Sequence, residues 1–182
     1  MKKGGFHTGT PVHDPAVFVD KDGKYYIFGT HMSAAVSTDL RYWNCFAEGV
    51  TEENPLFTNL FDEKKEAFAF CGKFDGKDYA VWAPDVSYNP VMGKYVMYFC
   101  TSGSYVKSSI CMAVADEAKG PYTYVGAILH SGFDAQTVEK TNVEDVLGEG
   151  ADISRYLKKN GHYNNLAWPN CIDPNTAPRS EE

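Results

Sequence analysis

The chain has 182 residues, 43% of them hydrophobic and 23% charged, which suits one sizeable soluble domain and falls short of two. A net charge of −7 argues against nucleic acid or an anionic membrane surface as partner, and no run approaches the roughly 18 consecutive apolar residues of a membrane span. The 14% aromatic content points to strands, because aromatic side chains fit pleated, half-buried surfaces, and it also suits a sugar-binding cleft.

The opening MKKGGFHTGTPVHDP has two lysines but no apolar stretch after them, unlike a secretory signal. From Asp14 to Trp43 the sequence reads as a four-stranded antiparallel unit: a short strand, a turn at Asp22-Gly23, the aromatic strand Lys24–Thr30, a polar loop, a third strand, and a fourth near Trp43–Phe46. The stretch 51–77 follows, with a helix-like segment at Asp62–Phe70. A second unit, Pro84–Gly126, repeats the pattern, with a turn at Met92-Gly93, the aromatic strand Lys94–Thr101, and a last strand near Tyr122–Val125. A long connection, Asp134–Trp168, holds a predicted short helix at Asp152–Lys159 capped by Asp152. A third copy begins at Asn170–Asn175 before the chain closes in APRSEE. Short strands at regular spacing fit a sandwich, a barrel or a propeller, and repetition of a four-stranded unit favours the propeller.

Five cysteines (Cys45, Cys71, Cys100, Cys111 and Cys171) show no C-x-x-C spacing. An odd number without a signal predicts reduced, mostly buried thiols and a cytoplasmic location, and no metal site. Two aspartates recur beside a proline at the openings of the two units, Asp14 in HDPAV and Asp85 in WAPDVSY. In a propeller both would approach the central channel. Inverting glycoside hydrolysis needs a carboxylate to activate water and a carboxylic acid about 6.5–9.5 Å away to protonate the leaving oxygen. The structural alternative is an ordinary turn, since Asp next to Pro bonds its own backbone locally.

The flanking residues resemble glycoside hydrolase family 43. HDPAVFVDKDGKYYIFGT, with Ser37-Thr38-Asp39-Leu40 and Trp43, is similar to that family's first blade; WAPDVSYNPVMGKYVMYFCTS is similar to its second, and NCIDPN to the opening of its third. The resemblance covers Pro11–Asn175 and implies an all-β fold of the five-bladed β-propeller type, truncated after about two blades plus the start of a third, in a single partial domain over residues 1–182. It implies a glycosidase of the α-L-arabinofuranosidase, arabinanase or β-xylosidase type acting on arabinose- or xylose-containing plant carbohydrate. It assigns Asp14 as general base and Asp85 as the group that orients the acid and raises its pKa, and it gives Asp173 no direct chemical role. The family's acid, a glutamate in an E-[GA]-P-type motif, has no counterpart here: Lys119-Gly120-Pro121 carries lysine, and Glu181-Glu182 lacks the context. The alternative is therefore a non-catalytic fragment that binds carbohydrate or pairs with another subunit, with exposed blade edges open to self-association or complementation.

His13 either bonds substrate or caps its turn, and Trp82 either stacks on a sugar or packs in the core or rim. Phe28, Tyr98 and Phe99 are expected in the interblade core, and His31 on the surface. His130 and His162 receive no role. Ser102-Gly103-Ser104 reads as a flexible loop with no nucleophile elbow. No cofactor is expected, although the complete fold of the family holds a channel cation through a histidine of a later blade.

Overall fold

The computed structural model describes residues 7–8, 11–104, 107–161, 163–164, 166 and 170–177. Two antiparallel sheets form most of it. The first contains β1 (His7–Thr8), β2 (Ala16–Val19), β3 (Tyr25–Gly29), β4 (Ser33–Ser37) and β5 (Tyr42–Ala47), in the order β1-β5-β4-β3-β2. The second contains β6 (Ala80–Asn89), β7 (Lys94–Ser104), β8 (Lys107–Ala115) and β9 (Thr123–Ser131), in chain order. The repeat read from the sequence is thus two four-stranded meanders. The addition is β1, which pairs parallel with β5 at the outer edge of the first sheet.

Turn chemistry sets the strand limits. Gly23 and Gly93 adopt φ of 75° and 64° in the tight turns β2–β3 and β6–β7, where a Cβ would strain the backbone. At the β4–β5 corner the Asp39 carboxylate accepts the N–H groups of Tyr42 and Arg41, both at 2.9 Å. Those bonds hold its pKa below the usual carboxylate range, so the S-T-D-L motif serves the corner of the blade. Ser102–Ser104 ends β7 instead of forming a loop. There a Cβ on Gly103 would fall 1.9 Å from the Cys71 carbonyl oxygen, so the glycine permits a close backbone approach.

The inner strands of the two sheets face each other, with β6 packed on β2, β3 and the turn Thr30–Met32. Phe28 and Phe99 are fully buried between the sheets, as expected, whereas Tyr98 is only half-buried and lies outside the core cluster. Phe18 meets Tyr95 edge-on at 5.6 Å, and Phe28 meets Tyr122 at 6.1 Å. Tyr95 also donates its hydroxyl to Asp20 of the first sheet. Burial and that carboxylate push the Tyr95 phenol well above its ordinary range, so it remains a donor.

The insertion 51–77 contributes Leu56, Phe57, Leu60, Ala67 and Phe68 to the same core. Asn59 ties it to β9, its side-chain oxygen accepting the Tyr124 N–H at 2.7 Å and its amide donating to the Tyr124 carbonyl at 3.3 Å. The expected helix at Asp62–Phe70 is one 3-10 turn, Glu63–Lys65, which ends where Glu66 turns left-handed (φ 54°) so that Ala67 and Phe68 reach the core. Asp152 does cap a turn, accepting the Ser154 N–H at 2.9 Å, but Ser154–Tyr156 is a single 3-10 turn. The α-helix of this region is Val143–Leu147, and Phe133, Val143, Tyr156 and Tyr163 gather into a small second cluster. His162, Trp168 and residues 178–182 lie outside the described residues.

Candidate active site

A cleft of about 830 Å³ opens where the first and second sheets meet the start of the third repeat. Asp14 and Thr30 come from the first unit, Trp82 from β6, Asp75 and Asp78 from a hairpin between the insertion and β6, and Asp173 from the third repeat. Three separate stretches of chain therefore supply acidic groups to one cavity.

Asp14 owes its place to an unusual backbone. It takes φ 48° immediately before a proline, a conformation that costs free energy in a non-glycine residue unless neighbours enforce it. The enforcing contacts are visible. The Thr30 N–H donates to the His13 carbonyl at 2.9 Å, and the Thr30 hydroxyl donates to Asp14 Oδ2 at 2.8 Å. The same hydroxyl oxygen accepts the Ala83 N–H at 3.0 Å, joining the two sheets at this point. His13 Nδ1 lies 2.8 Å from Asp14 Oδ2, while Oδ1 has no hydrogen-bond partner among the described residues. The Asp14 side chain is 46% exposed, so one oxygen is fixed and the other is open to a water molecule. This is the arrangement a general base requires.

The close approach of residues 12–13 depends on Gly29. A Cβ there would lie 2.4 Å from Val12 Cγ1 and 2.6 Å from the His13 carbonyl oxygen. Buried Asn54 braces the opposite wall, its amide donating to the carbonyls of Met32 (3.1 Å) and Gly49 (2.7 Å). His31, expected on the surface, is exposed there and also lines the cleft, with φ 66°.

The left-handed pre-proline position recurs at Asp14 (φ 48°), Ala83 (φ 41°) and Asp173 (φ 55°). The counterpart of Asp14 in the second unit is thus Ala83, and Asp85 stands two residues beyond it, within β6 and not at its start. Asp85 is half-buried, and its Oδ2 accepts both the N–H and the hydroxyl of Thr176, each at 2.6 Å. Asp173 lines the cleft. The carboxylates gathered with Asp14 are Asp173, Asp75 and Asp78, none of which the motif reading placed there. Asp173 carried a signal in its I-D-P context; the hairpin residues carried none beyond Asp75-Gly76 turn chemistry.

Trp82 is half-buried on the cleft wall, edge-on to Phe74 with ring centroids 5.2 Å apart. Of the expected placements, core or rim packing, the structure shows the rim. No glutamate lines the cleft among the described residues, and none of them form a group of three or more metal-ligating side chains.

His130 lies elsewhere, on β9. It stacks against Phe70 at 4.4 Å, its Nδ1 is 2.7 Å from Ser109 Oγ, and burial together with Lys140 lowers its basicity.

Comparison with known proteins bears on this geometry. The family described as Glycosyl hydrolases family 43 matches residues 10–147. The extracellular endo-alpha-(1->5)-L-arabinanase 2 of Bacillus subtilis (strain 168) is 31% identical over 166 residues, covering 91% of this chain and 30% of that protein. The extracellular endo-alpha-(1->5)-L-arabinanase of Thermotoga petrophila is 32% identical over 165 residues, covering 90% of this chain and again 30% of that protein. A solved structure of the endo-1,5-alpha-L-arabinanase from Thermotoga petrophila RKU-1 superposes with a TM-score of 0.61 at 31% identity, over 84% of this chain and 32% of that one. The chain thus spans about 30% of the length of these curated relatives. The two meanders are two blades of the five-bladed β-propeller type.

One expectation is corrected. The cysteine pattern pointed to the cytoplasm, yet both curated relatives are named as extracellular proteins. The structure supplies the physical reason for the misreading. Cys71, Cys100 and Cys111 are buried, and burial pushes the thiols of Cys100 and Cys111 up to about 12 and about 11. Inert core thiols report packing and not the redox compartment.

Proposed function

The chain belongs to glycosyl hydrolases family 43, and on that premise we propose that it forms the base-bearing part of an inverting glycosidase that cleaves arabinose-containing polysaccharide. Within that class an arabinanase is the reading we favour, since the curated relatives are named as endo-arabinanases. A polymeric substrate also fits action outside the cell.

The observation that carries the proposal is the state of Asp14. Its Oδ2 is held by Thr30 and His13, and its Oδ1 is open toward a cleft large enough for sugar units. In the proposed reaction Oδ1 takes a proton from a water molecule as that water attacks the anomeric carbon, and the glycosidic oxygen leaves with a proton from a carboxylic acid on the opposite side. Thr30 keeps the carboxylate from rotating during the transfer. Asp173 is the second carboxylate we assign to the cleft, where its charge would act on the acid. Trp82 supplies a platform for an apolar sugar face. We assign the acid itself to the portion of the fold that the longer relatives carry beyond the stretch they share with this chain.

A second reading has one observation in its favour, the lack of a glutamate in the cleft among the described residues. Under that reading the chain binds carbohydrate without cleaving it, or does so only when a partner completes the propeller.

The test is release of reducing ends from linear arabinan by the purified chain, with Asp14→Ala as control, alongside calorimetric binding of arabino-oligosaccharides. Turnover abolished by Asp14→Ala supports the hydrolase. Binding without turnover supports the second reading, and neither binding nor turnover defeats both for this chain alone.

A further inference from the structure

The insertion 51–77 does more than fill the core. A groove of about 510 Å³ lies against it, lined in part by Phe61, Glu63, Phe68, Lys73 and Tyr79. That size falls within the range of about 300–1,000 Å³ usual for ligand sites. Tyr79 also lines the active-site cleft, so the two depressions meet at one side chain. The backbone joins them a second time, since Thr51 lines the cleft and Glu52 the groove.

Local structure fixes Tyr79 at this junction. The hairpin before it closes where the Phe74 N–H donates to the Asp78 carbonyl at 2.7 Å, with Asp75 and Gly76 left-handed at its tip (φ 47° and 72°). Strand β6 begins at the next residue, Ala80. The Tyr79 ring stacks on buried Phe68 at 4.2 Å and meets Phe61 at 6.1 Å. Its own exposure is 36%, so a ring braced by the core still presents surface to solvent. Such a ring loses little side-chain freedom when a ligand packs on it. Lys73 Nζ lies 5.4 Å from the ring centroid and adds a hydrogen-bond donor beside it. Charge narrows the class of ligand, because each depression carries four carboxyl groups against one lysine in its lining. Carboxylates accept hydroxyl groups well and repel an anionic chain.

We propose that the groove is a distal subsite of the cleft, in which the insertion holds sugar units of a neutral polysaccharide beyond the reacting one and Tyr79 is the platform the chain crosses. A chain seated in the cleft and leaving past Tyr79 enters the groove directly, and its hydroxyl groups meet acceptors in both places. The proposal rests on the glycosidase reading of the cleft and adds chain length and charge as determinants of affinity.

The experiment titrates the full chain calorimetrically with α-1,5-linked arabinobiose and arabinohexaose. The readout is the ratio of the two affinities, which a uniform change in the cleft does not move. In the parent the hexaose should bind more than about tenfold tighter, beyond the few-fold gained from its greater number of binding registers. Tyr79→Ala should cut that ratio at least about fivefold, and Tyr79→Phe, which keeps the ring, should preserve it. Lys73→Ala, at an exposed position outside the cleft lining, should lower it about threefold. A parent ratio below about tenfold overturns the groove while leaving the cleft reading intact, and so does a parent-like ratio in folded Tyr79→Ala. Should Tyr79→Ala not fold, Lys73→Ala decides, a parent-like ratio there overturning the proposal. Hexagalacturonate should bind at least about tenfold more weakly than arabinohexaose, and equal binding would overturn the assignment to neutral chains. Binding of neither arabino-oligosaccharide would defeat the glycosidase reading and the subsite with it.

Discussion

Gly29→Ala offers the sharpest test of how this fold positions Asp14. Gly29 has φ −155° and ψ 175°, extended backbone open to any residue, so the substitution introduces no torsional strain. Its effect is contact. The new Cβ would sit 2.6 Å from the His13 carbonyl oxygen, and reaching an ordinary separation of 3.4 Å requires the 12–14 loop to withdraw by about 0.8 Å. That movement stretches the 2.9 Å bond from the Thr30 N–H to His13, worth about 1 kcal/mol, and overpacking adds about 1–3 kcal/mol. Reduced entropy of the unfolded chain returns about 0.4–1 kcal/mol. A net loss of about 1–3 kcal/mol follows, or roughly 3–9 °C in melting temperature for a domain of this size. Displacing Asp14 by most of an ångström should also reduce any turnover about 10²-fold. Urea unfolding followed by circular dichroism measures the first quantity and arabinan hydrolysis the second. Gly126→Ala is the control, since nothing lies within 4 Å of its added Cβ. The reasoning is refuted if Gly29→Ala is as stable as Gly126→Ala.

Tyr95→Phe should destabilise the chain by about 1–2 kcal/mol in urea unfolding, because it removes the hydroxyl that donates to Asp20 across the two blades. Retained stability would mean that aromatic packing alone joins them. His130 predicts an acid-side effect. Its folded pKa is depressed, so its contribution is present above the unfolded value of about 6.5 and is lost as pH falls through the folded pKa. Melting temperature should therefore decline below about pH 6.5 in the parent, and the decline should be shallower in His130→Gln. Cys100 and Cys111 act on the alkaline side: their raised pKa values favour the fold below about pH 9 and are lost as pH climbs toward 11–12. Cys111→Ala should flatten that alkaline limb, and an unchanged limb would assign it to other groups.

Much of the architecture is local and so could be read along the chain. The repeated pattern, Gly23 and Gly93 at their turns, and the aromatic strands predict the two meanders, because strand and turn preferences act over a few residues. The place of Asp14 just ahead of the first strand of its unit was legible for the same reason, through a dipeptide and its flanks. The segments that deviated are those where tertiary contacts overrode propensity. Asp62–Phe70 carries helix-forming residues, but delivering Ala67 and Phe68 to the core requires the left-handed turn at Glu66. Likewise the buried thiols gave no sign of compartment, because burial is a property of the packed sheet.

Sequence alone determined the residue types that can do the chemistry, and the spacing of the units that carry them. Only the tertiary structure decided which carboxylates share a cavity. Asp14, Asp75 and Asp173 lie far apart along the chain and meet because β6 docks on β2 and the third repeat closes over the second sheet. Asp85, beside its proline in the sequence, follows a bulge of one extra residue in β6, and its carboxylate bonds Thr176, far along the chain. A bulge shifts a side chain's direction without changing any local preference, and so that outcome became visible only once the strands were paired.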